Sequence, residues 1–350
     1  MARKLVTIRK ISEIRPIPDA DAIELAIVDG WQCVVQKSMN YKVGDKVFYF
    51  EIDSFLPFSK HQFEFLRPKD GRITVFNGVE GHRLRTIKLR KQLSQGLLVP
   101  VDYDELLADP NFVDDLEDYS EYWGVQLYEK PLPAQLAGTV RSTFPSFIPK
   151  TDQERVQNLT QVLARRAAEK PNELFEVTIK LDGSSMTVYR RDDDIGVCSR
   201  NLSLKENDDN TFWKVAKQDG LIDVLNKIGR NLAFQGELIG EGIQNNVEKM
   251  KGQTFRLFDI YDIDAGRYLS HHERMEIVTD HPVNHVPLLY NVPLADFEGL
   301  SDGNINAVLA AAEGPSIHTD NREGIVFKSI DDPSFSFKAI SNKYLLGEKD

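Results

Sequence analysis

A lysine closes the β-branched run in Val177-Thr178-Ile179-Lys180-Leu181-Asp182-Gly183-Ser184-Ser185. A lysine leaving a buried strand loses part of its hydration, which lowers the pKa of its ammonium toward the free, nucleophilic amine. Asp182 lies two positions on, and Gly183 lets the backbone approach a ligand closely at the turn. Taken alone, the segment also reads as a surface lysine ahead of a β-turn. Four more segments follow in order. They are Ser199-Arg200-Asn201, Gly236-Glu237-Leu238-Ile239-Gly240, Phe255-Arg256-Leu257-Phe258-Asp259-Ile260-Tyr261, and Glu323-Gly324-Ile325-Val326-Phe327-Lys328 with Phe337-Lys338 close behind. Each carries a cation, a carboxylate or an aromatic ring. No glycine-rich loop precedes a Lys-Ser/Thr pair, which removes P-loop chemistry.

The elements that must position these residues alternate strand and helix. Apolar alternation predicts strands at 174–180, 184–190, 195–199, 232–239, 254–262, 324–330 and 334–339, and helices at 209–218, 221–228, 271–279 and 304–312. The link across Arg190–Asp194 is too short for a crossover, so the sheets are expected to be antiparallel in an α+β domain. Thr151-Asp152-Gln153-Glu154 has the form of a capping box, followed by Val156, Leu159, Val162 and Leu163 at helical spacing. On strand alternation Arg256, Phe258 and Ile260 share one face.

Upstream, residues 1–105 read as all-β. Short segments at 5–8, 23–28, 31–35, 46–50, 73–76, 84–89 and 96–101 are separated by turns such as Asp29-Gly30 and Asn77-Gly78. A small barrel closes such a set without exposed edges. Residues 106–148 are acidic, contain Pro131, Pro133 and Pro145, and lack periodicity, which predicts a connector ahead of a second domain at 149–350.

The 350 residues suffice for two such domains, and two cysteines exclude a disulfide framework. No apolar run is long enough for a membrane span, and the N-terminus lacks a secretory pattern, so a cytoplasmic protein is expected. The net charge of −11 excludes a uniformly basic nucleic-acid binder but not a local basic face.

The five ordered segments resemble the covalent nucleotidyltransferase superfamily of polynucleotide ligases and mRNA capping enzymes. The resemblance implies that Lys180 attacks the α-phosphorus of ATP and becomes lysyl-AMP. It implies Asp182 and Glu323 as carboxylates for Mg²⁺ or Mn²⁺, held through water, and Lys328 and Lys338 as cations for the α-phosphate. Glu237 would take a ribose hydroxyl, and Arg200 either the ribose or an RNA-end phosphate. Phe258 would stack on adenine, with Phe255 as second choice.

Within the superfamily, DNA ligases and capping enzymes usually carry arginine where this chain has Ser185, and place their OB domain after the last motif. Here the β-rich region comes first. Lys42-Val43-Gly44-Asp45-Lys46-Val47, Asp53-Ser54-Phe55-Leu56-Pro57, Arg83-Leu84-Arg85-Thr86-Ile87-Lys88-Leu89-Arg90 and Gln92-Leu93-Ser94-Gln95-Gly96-Leu97 resemble the Deinococcus/Naegleria type of RNA ligase, whose OB module precedes the catalytic domain. That likeness implies sealing of 3′-OH and 5′-phosphate RNA ends at nicks in duplex or at bridged ends, with no obligate protein partner. It departs from a common final K-x-K motif, since Lys338-Ala339-Ile340 supplies one lysine. The rivals are a DNA ligase, a capping-type enzyme, and a non-catalytic RNA-binding OB protein.

Lys150 and Arg155, at the expected helix start, would orient the β- and γ-phosphates or serve as ordinary solvated cap charges. Arg83, Arg85, Lys88, Arg90 and Lys91 fall within nine residues and suit RNA backbone contact, the other reading being a charged edge strand. His271-His272, His281 and His285 lack a cysteine partner and read as surface histidines.

Overall fold

The computed structural model describes residues 3–129 and 138–347. The chain divides into two compact units, Met1–Pro131 with Leu345–Asp350, and Leu132–Tyr344.

The first unit is built round the strand Lys46–Glu51, which pairs antiparallel with Val6–Lys10 on one side and Gly96–Pro100 on the other. Its alternation sends Phe48 and Phe50 into one core and Val47 and Tyr49 into another, so both faces are covered. A meander, Glu13–Pro16, Ile23–Val28 and Trp31–Gln36, supplies Trp31 to the second core. A further sheet joins the expected Thr74–Phe76 to Val79–Arg83, Ser54–Pro57 and Gln126–Leu127, which alternation does not mark as strands. The stretch expected as one strand over 84–89 keeps only Ile87–Leu89, hairpinned to Gln92–Ser94.

The acidic stretch expected to connect the domains starts by completing the first core. Tyr119 and Trp123 are buried there, with the Trp123 ring 5.2 Å from that of Phe48 and 5.3 Å from that of Phe50. Gln126–Leu127 then pairs with Ser54–Phe55. Pro131 and Pro133 lie outside the described residues.

The second unit contains a seven-stranded antiparallel sheet and a five-stranded sheet. The first runs Val140–Thr143, Leu202–Leu204, Asp194–Ser199, Ser184–Arg191, Leu232–Gly240, Gln253–Asp262, Arg267–Tyr268 across its width. The second runs Glu154–Arg155, Ser336–Ile340, Gly324–Ser329, Leu174–Lys180, Leu288–Pro293. Each sheet buries one apolar face under helices. Met186, Val188, Phe234 and Phe255 pack with the helices Thr211–Gln218 and Leu221–Ile228. Phe175, Val177, Phe327 and Phe337 pack with Thr160–Glu169 and Asn306–Ala311. The other faces carry the polar side chains and meet across Ile179, Leu181, Ile239 and Val286.

The expected capping box does not form. Glu154–Arg155 is drawn into the five-stranded sheet, parallel to Phe337–Lys338, and a 3-10 turn at Val156–Asn158 precedes the helix Thr160–Glu169. The Glu154 carboxylate instead accepts from the Arg155 backbone N–H (2.8 Å) and the Asn158 side chain (2.9 Å). Lys150 and Arg155 therefore do not flank the N-terminus of the helix Thr160–Glu169.

Candidate active site

Lys180 ends its strand opposite Gly324, which brings the residue before that glycine, Glu323, alongside it. The Lys180 ammonium donates to Glu323 Oε2 at 2.6 Å. Both glycines of the site are required by close approach. A Cβ on Gly183 would come within 2.3 Å of the Leu238 carbonyl, and one on Gly324 within 2.2 Å of that of Ala339.

The ammonium's pKa runs opposite to the sequence expectation. Desolvation pulls it down, but the charges of Glu323 and Glu237, the Glu323 hydrogen bond and Asp182 together outweigh burial, and Lys180 sits above its ordinary value. Glu237, on the adjoining sheet, is pushed up to about 8 by burial first, with Glu323 and Asp182 adding to the rise against the pull of Lys180. Lys338 is depressed to about 8 by burial, then by Lys180 and Arg155. Carboxylates and ammonium groups thus crowd one another between the sheets.

The neighbouring strands align Ser185, Glu237 and Arg256 across three adjacent positions. The Ser185 hydroxyl lies 2.9 Å from that of Thr151. Arg200 is held by Asp152 at 2.8 Å, and Lys150 donates to Asn201 Oδ1 at 2.9 Å. Arg155 is in register with Lys338 on the parallel pair. Tyr344 donates its hydroxyl to Asp182 Oδ2 at 2.8 Å. Nothing in the sequence pattern points to Tyr344 or Thr151.

Several expected residues stand elsewhere. Lys328 faces Glu176 across the strand pair, four residues along from the Lys180–Gly324 pair, or roughly 13 Å at ordinary strand rise. Its buried ammonium pairs with Asp259 and donates to the Phe258 carbonyl at 2.9 Å, away from the Lys180–Glu323 pair. Phe255 is 1% exposed in the outer core, which removes it as a stacking ring. Phe258 lies half-buried against Ile179, Leu181 and Ile239 on the inner side. Ile260 does not share its face. The register slips between Gln235 and Gly236, and Ile260 returns to the outer core with Phe255 and Leu257.

His271 and His285 are not simple surface residues. His271 Nδ1 lies 2.5 Å from Glu176, and His285 Nε2 accepts from Arg274 Nε at 3.2 Å. No cluster of three or more His, Cys, Asp or Glu able to hold a metal occurs among the described residues.

In the first unit, Arg83 is bound to Asp53 at 2.6 Å and lies over the Tyr128 ring, so its charge is already matched. Lys88 donates to the Leu346 carbonyl at the end of the helix Asn342–Gly347. Arg85, Arg90 and Lys91 are exposed. Arg90 and Lys91 form the two-residue turn of the hairpin, with φ of 50° and 65°. Asn-Gly is the usual occupant of such a turn, so two long cations there are conformationally costly.

The sequence matches the RNA ligase family over residues 173–340 and an OB-fold domain over residues 5–101. Naegleria gruberi RNA ligase, solved as a mutant with AMP and Mn, is 47% identical at a TM-score of 0.82, covering 99% of this chain and 100% of that one. Its mutant with ATP and Mn is 46% identical at 0.81, covering 99% of each chain. The same ligase with PPi is 47% identical at 0.80, covering 98% of each. The chain belongs to the RNA ligase family. No curated protein matches it.

The expected OB-fold and antiparallel-sheet nucleotidyltransferase architecture of this RNA ligase is present. No described helix is long and apolar enough to cross a membrane. The donor set fits a divalent cation: the carboxylate oxygens of Asp182 and Glu323 suit Mg²⁺ or Mn²⁺, and both carboxylates add to the rise that burial gives Glu237. Asp182 and Glu323, with substrate phosphates, fit a hydrated ion rather than an all-protein cage.

Proposed function

We propose that this ligase uses ATP to seal RNA 3′-OH and 5′-phosphate ends in the cytoplasm, through AMP bonded to Lys180. The observation that carries the reading is the Lys180 ammonium at a strand end, hydrogen-bonded to Glu323 among Asp182, Glu237 and Lys338. Unit Leu132–Tyr344 carries the chemistry, and unit Met1–Pro131 contributes RNA contact.

Lys180 Nζ forms a bond to the α-phosphorus while the bond to pyrophosphate breaks. The ammonium must first give up a proton, and Glu323 Oε2, 2.6 Å from Nζ, is the acceptor in reach. Asp182 and Glu323 would hold a divalent cation through water, and that cation would offset the triphosphate charge. Lys338 neutralises the α-phosphate, and Arg155 beside it, with Lys150, orients the β- and γ-phosphates. Glu237 holds its proton at neutral pH and can donate to or accept from a ribose hydroxyl. Phe258 stacks on adenine, and Arg200, braced by Asp152, meets the ribose or the RNA end. A 5′-phosphate oxygen then bonds to the AMP phosphorus as its bond to Lys180 Nζ breaks, and the 3′-OH, losing its proton, attacks the RNA 5′-phosphate phosphorus as AMP leaves.

The two lysines set a pH dependence. Because Lys180 is raised, its neutral fraction grows tenfold per pH unit below its pKa, while Lys338 loses its charge above about 8. The kcat/KM for ATP in lysyl-AMP formation reports these free-enzyme groups. It is expected to climb with pH to about 8 and then level off. Lys338→Arg keeps its charge and should go on climbing, whereas a bend that persists in that variant belongs to Glu237, which is also pushed up to about 8. A wild-type profile with no bend in that region would remove Lys338 from the phosphate contact.

The substrate reading is tested by sealing all-RNA substrates with ATP. A nick in duplex holds both ends in place, so it should seal at least roughly tenfold faster than the same strands left single. Equal rates would remove the nicked-duplex reading and leave end sealing alone.

A further inference from the structure

Away from Lys180, the two sheets of the second unit are joined by a buried set of charges that the sealing chemistry does not use. Lys328 pairs with Asp259, and Arg274, 0% exposed on the helix His271–Asp280, pairs with Glu176. Arg274 Nη1 lies 3.9 Å from Asp259, which links the two pairs. His271 closes the set on the Glu176 side at 2.5 Å. His285 closes it on the other. Its Nδ1–H donates to the Val286 carbonyl at 2.7 Å, which leaves the Nε2 lone pair for Arg274 Nε–H. Burial and then Arg274 depress His285 to about 4, in keeping with that neutral tautomer.

Buried ion pairs are weak devices for stability, because desolvation offsets much of their attraction, so such a set invites another role. Its position suggests one. The strand Gln253–Asp262 carries a register slip in which Gln235 faces Asp259 and Gly236 faces Leu257, leaving Phe258 as the extra residue. An extra residue at a bulge lies outside the ladder and re-aims its side chain. The Phe258 carbonyl accepts from Lys328 Nζ at 2.9 Å, from the facing sheet.

We propose that Lys328 is a positioning residue of the nucleotide site, held by Asp259 and the Arg274–Glu176 pair so that its ammonium fixes the Phe258 bulge and aims that ring at the adenine. This rests on the stacking role of Phe258. It replaces direct phosphate contact by Lys328, and the two roles differ in kinetics. Loss of aim weakens nucleotide binding, whereas loss of a phosphate cation slows phosphoryl transfer.

The experiment compares Lys328→Met, the paired Lys328→Met/Asp259→Asn, and Phe258→Ala, measuring KM for ATP and kcat for lysyl-AMP formation, with the thermal midpoint alongside. The paired variant leaves no uncompensated buried charge, so it remains informative if Lys328→Met unfolds. The expected result is a KM raised by about ten- to hundredfold in all three, the scale of base stacking, with kcat within about threefold. Adding Phe258→Ala to the paired variant should raise KM no further, because both changes remove one interaction. A lowered kcat at unchanged KM in the Lys328 variants overturns the proposal and returns Lys328 to the phosphate. If Phe258→Ala raises KM and neither Lys328 variant does, the brace fails and stacking stands. If Phe258→Ala leaves KM unchanged, the stacking reading fails and takes this use of the brace with it.

Discussion

Glu323→Ala is expected to slow lysyl-AMP formation by roughly 10²–10³-fold, the scale on which one preorganised electrostatic contact contributes to catalysis. Two effects oppose each other in this variant. Glu323 is the largest of the influences that hold the Lys180 pKa up, so removing it leaves burial less opposed and frees more neutral amine. It also removes one of the two carboxylates proposed for the divalent cation, leaving the triphosphate charge without its counter-ion. We expect the second effect to dominate at neutral pH and the first to show as a shift of the pH profile to lower pH. Single-turnover adenylylation across pH, with and without added Mn²⁺, separates them. Glu323→Gln keeps the hydrogen-bonding shape without the charge and should fall almost as far. Full activity of Glu323→Ala would place the cation elsewhere.

The next largest effect is expected on RNA binding. Arg85, Arg90 and Lys91 are exposed, whereas Arg83 is matched by Asp53 and Lys88 by a helix-end carbonyl. The triple variant Arg85→Ala/Arg90→Ala/Lys91→Ala should flatten the log–log salt dependence of binding to nicked duplex by about 0.7–0.9 for each phosphate left without its cation. Three such phosphates amount to about two units of slope or more, a hundredfold in affinity for each tenfold change in salt. Lysyl-AMP formation should be unaffected. Arg83→Ala, which breaks a matched pair, should leave the slope alone. An unchanged slope in the triple variant would make the Arg90–Lys91 turn a charged guard on a sheet edge, with RNA held elsewhere.

Local periodicity makes much of the second unit legible. Strands such as Leu174–Lys180 and Leu232–Gly240 match their expected ranges closely because apolar residues alternate along them, although both faces are buried. What the sequence hides is set by non-local partners. Thr151-Asp152-Gln153-Glu154 and Ser270-His271-His272-Glu273 share one pattern, and only the second builds a capping box. At the first, backbone pairing with Phe337–Lys338 captures the segment as strand. Tyr119 and Trp123 sit in an acidic, aperiodic stretch, so their anchoring against Phe48 and Phe50 has no local signature. The pairing of Lys328 with Asp259 is hidden too, because that partner is 69 positions away. The slip at Phe258 reverses the face of Ile260 for a similar reason, since a bulge is defined by the neighbouring strand. The sign of the Lys180 shift is hidden as well. Burial is legible from the strand, but not the convergence of Glu323, Glu237 and Asp182 on one ammonium.

Lys180 is the residue expected to carry the AMP. The most direct measurement is peptide mass spectrometry of the protein after incubation with ATP and Mn²⁺, with Lys180→Ala treated in parallel. The expected result is one AMP per chain on the peptide bearing Lys180, stable to base and lost in acid as a phosphoramidate is, and none on a folded Lys180→Ala protein. AMP on any other residue, or adenylylation persisting in Lys180→Ala, would contradict it.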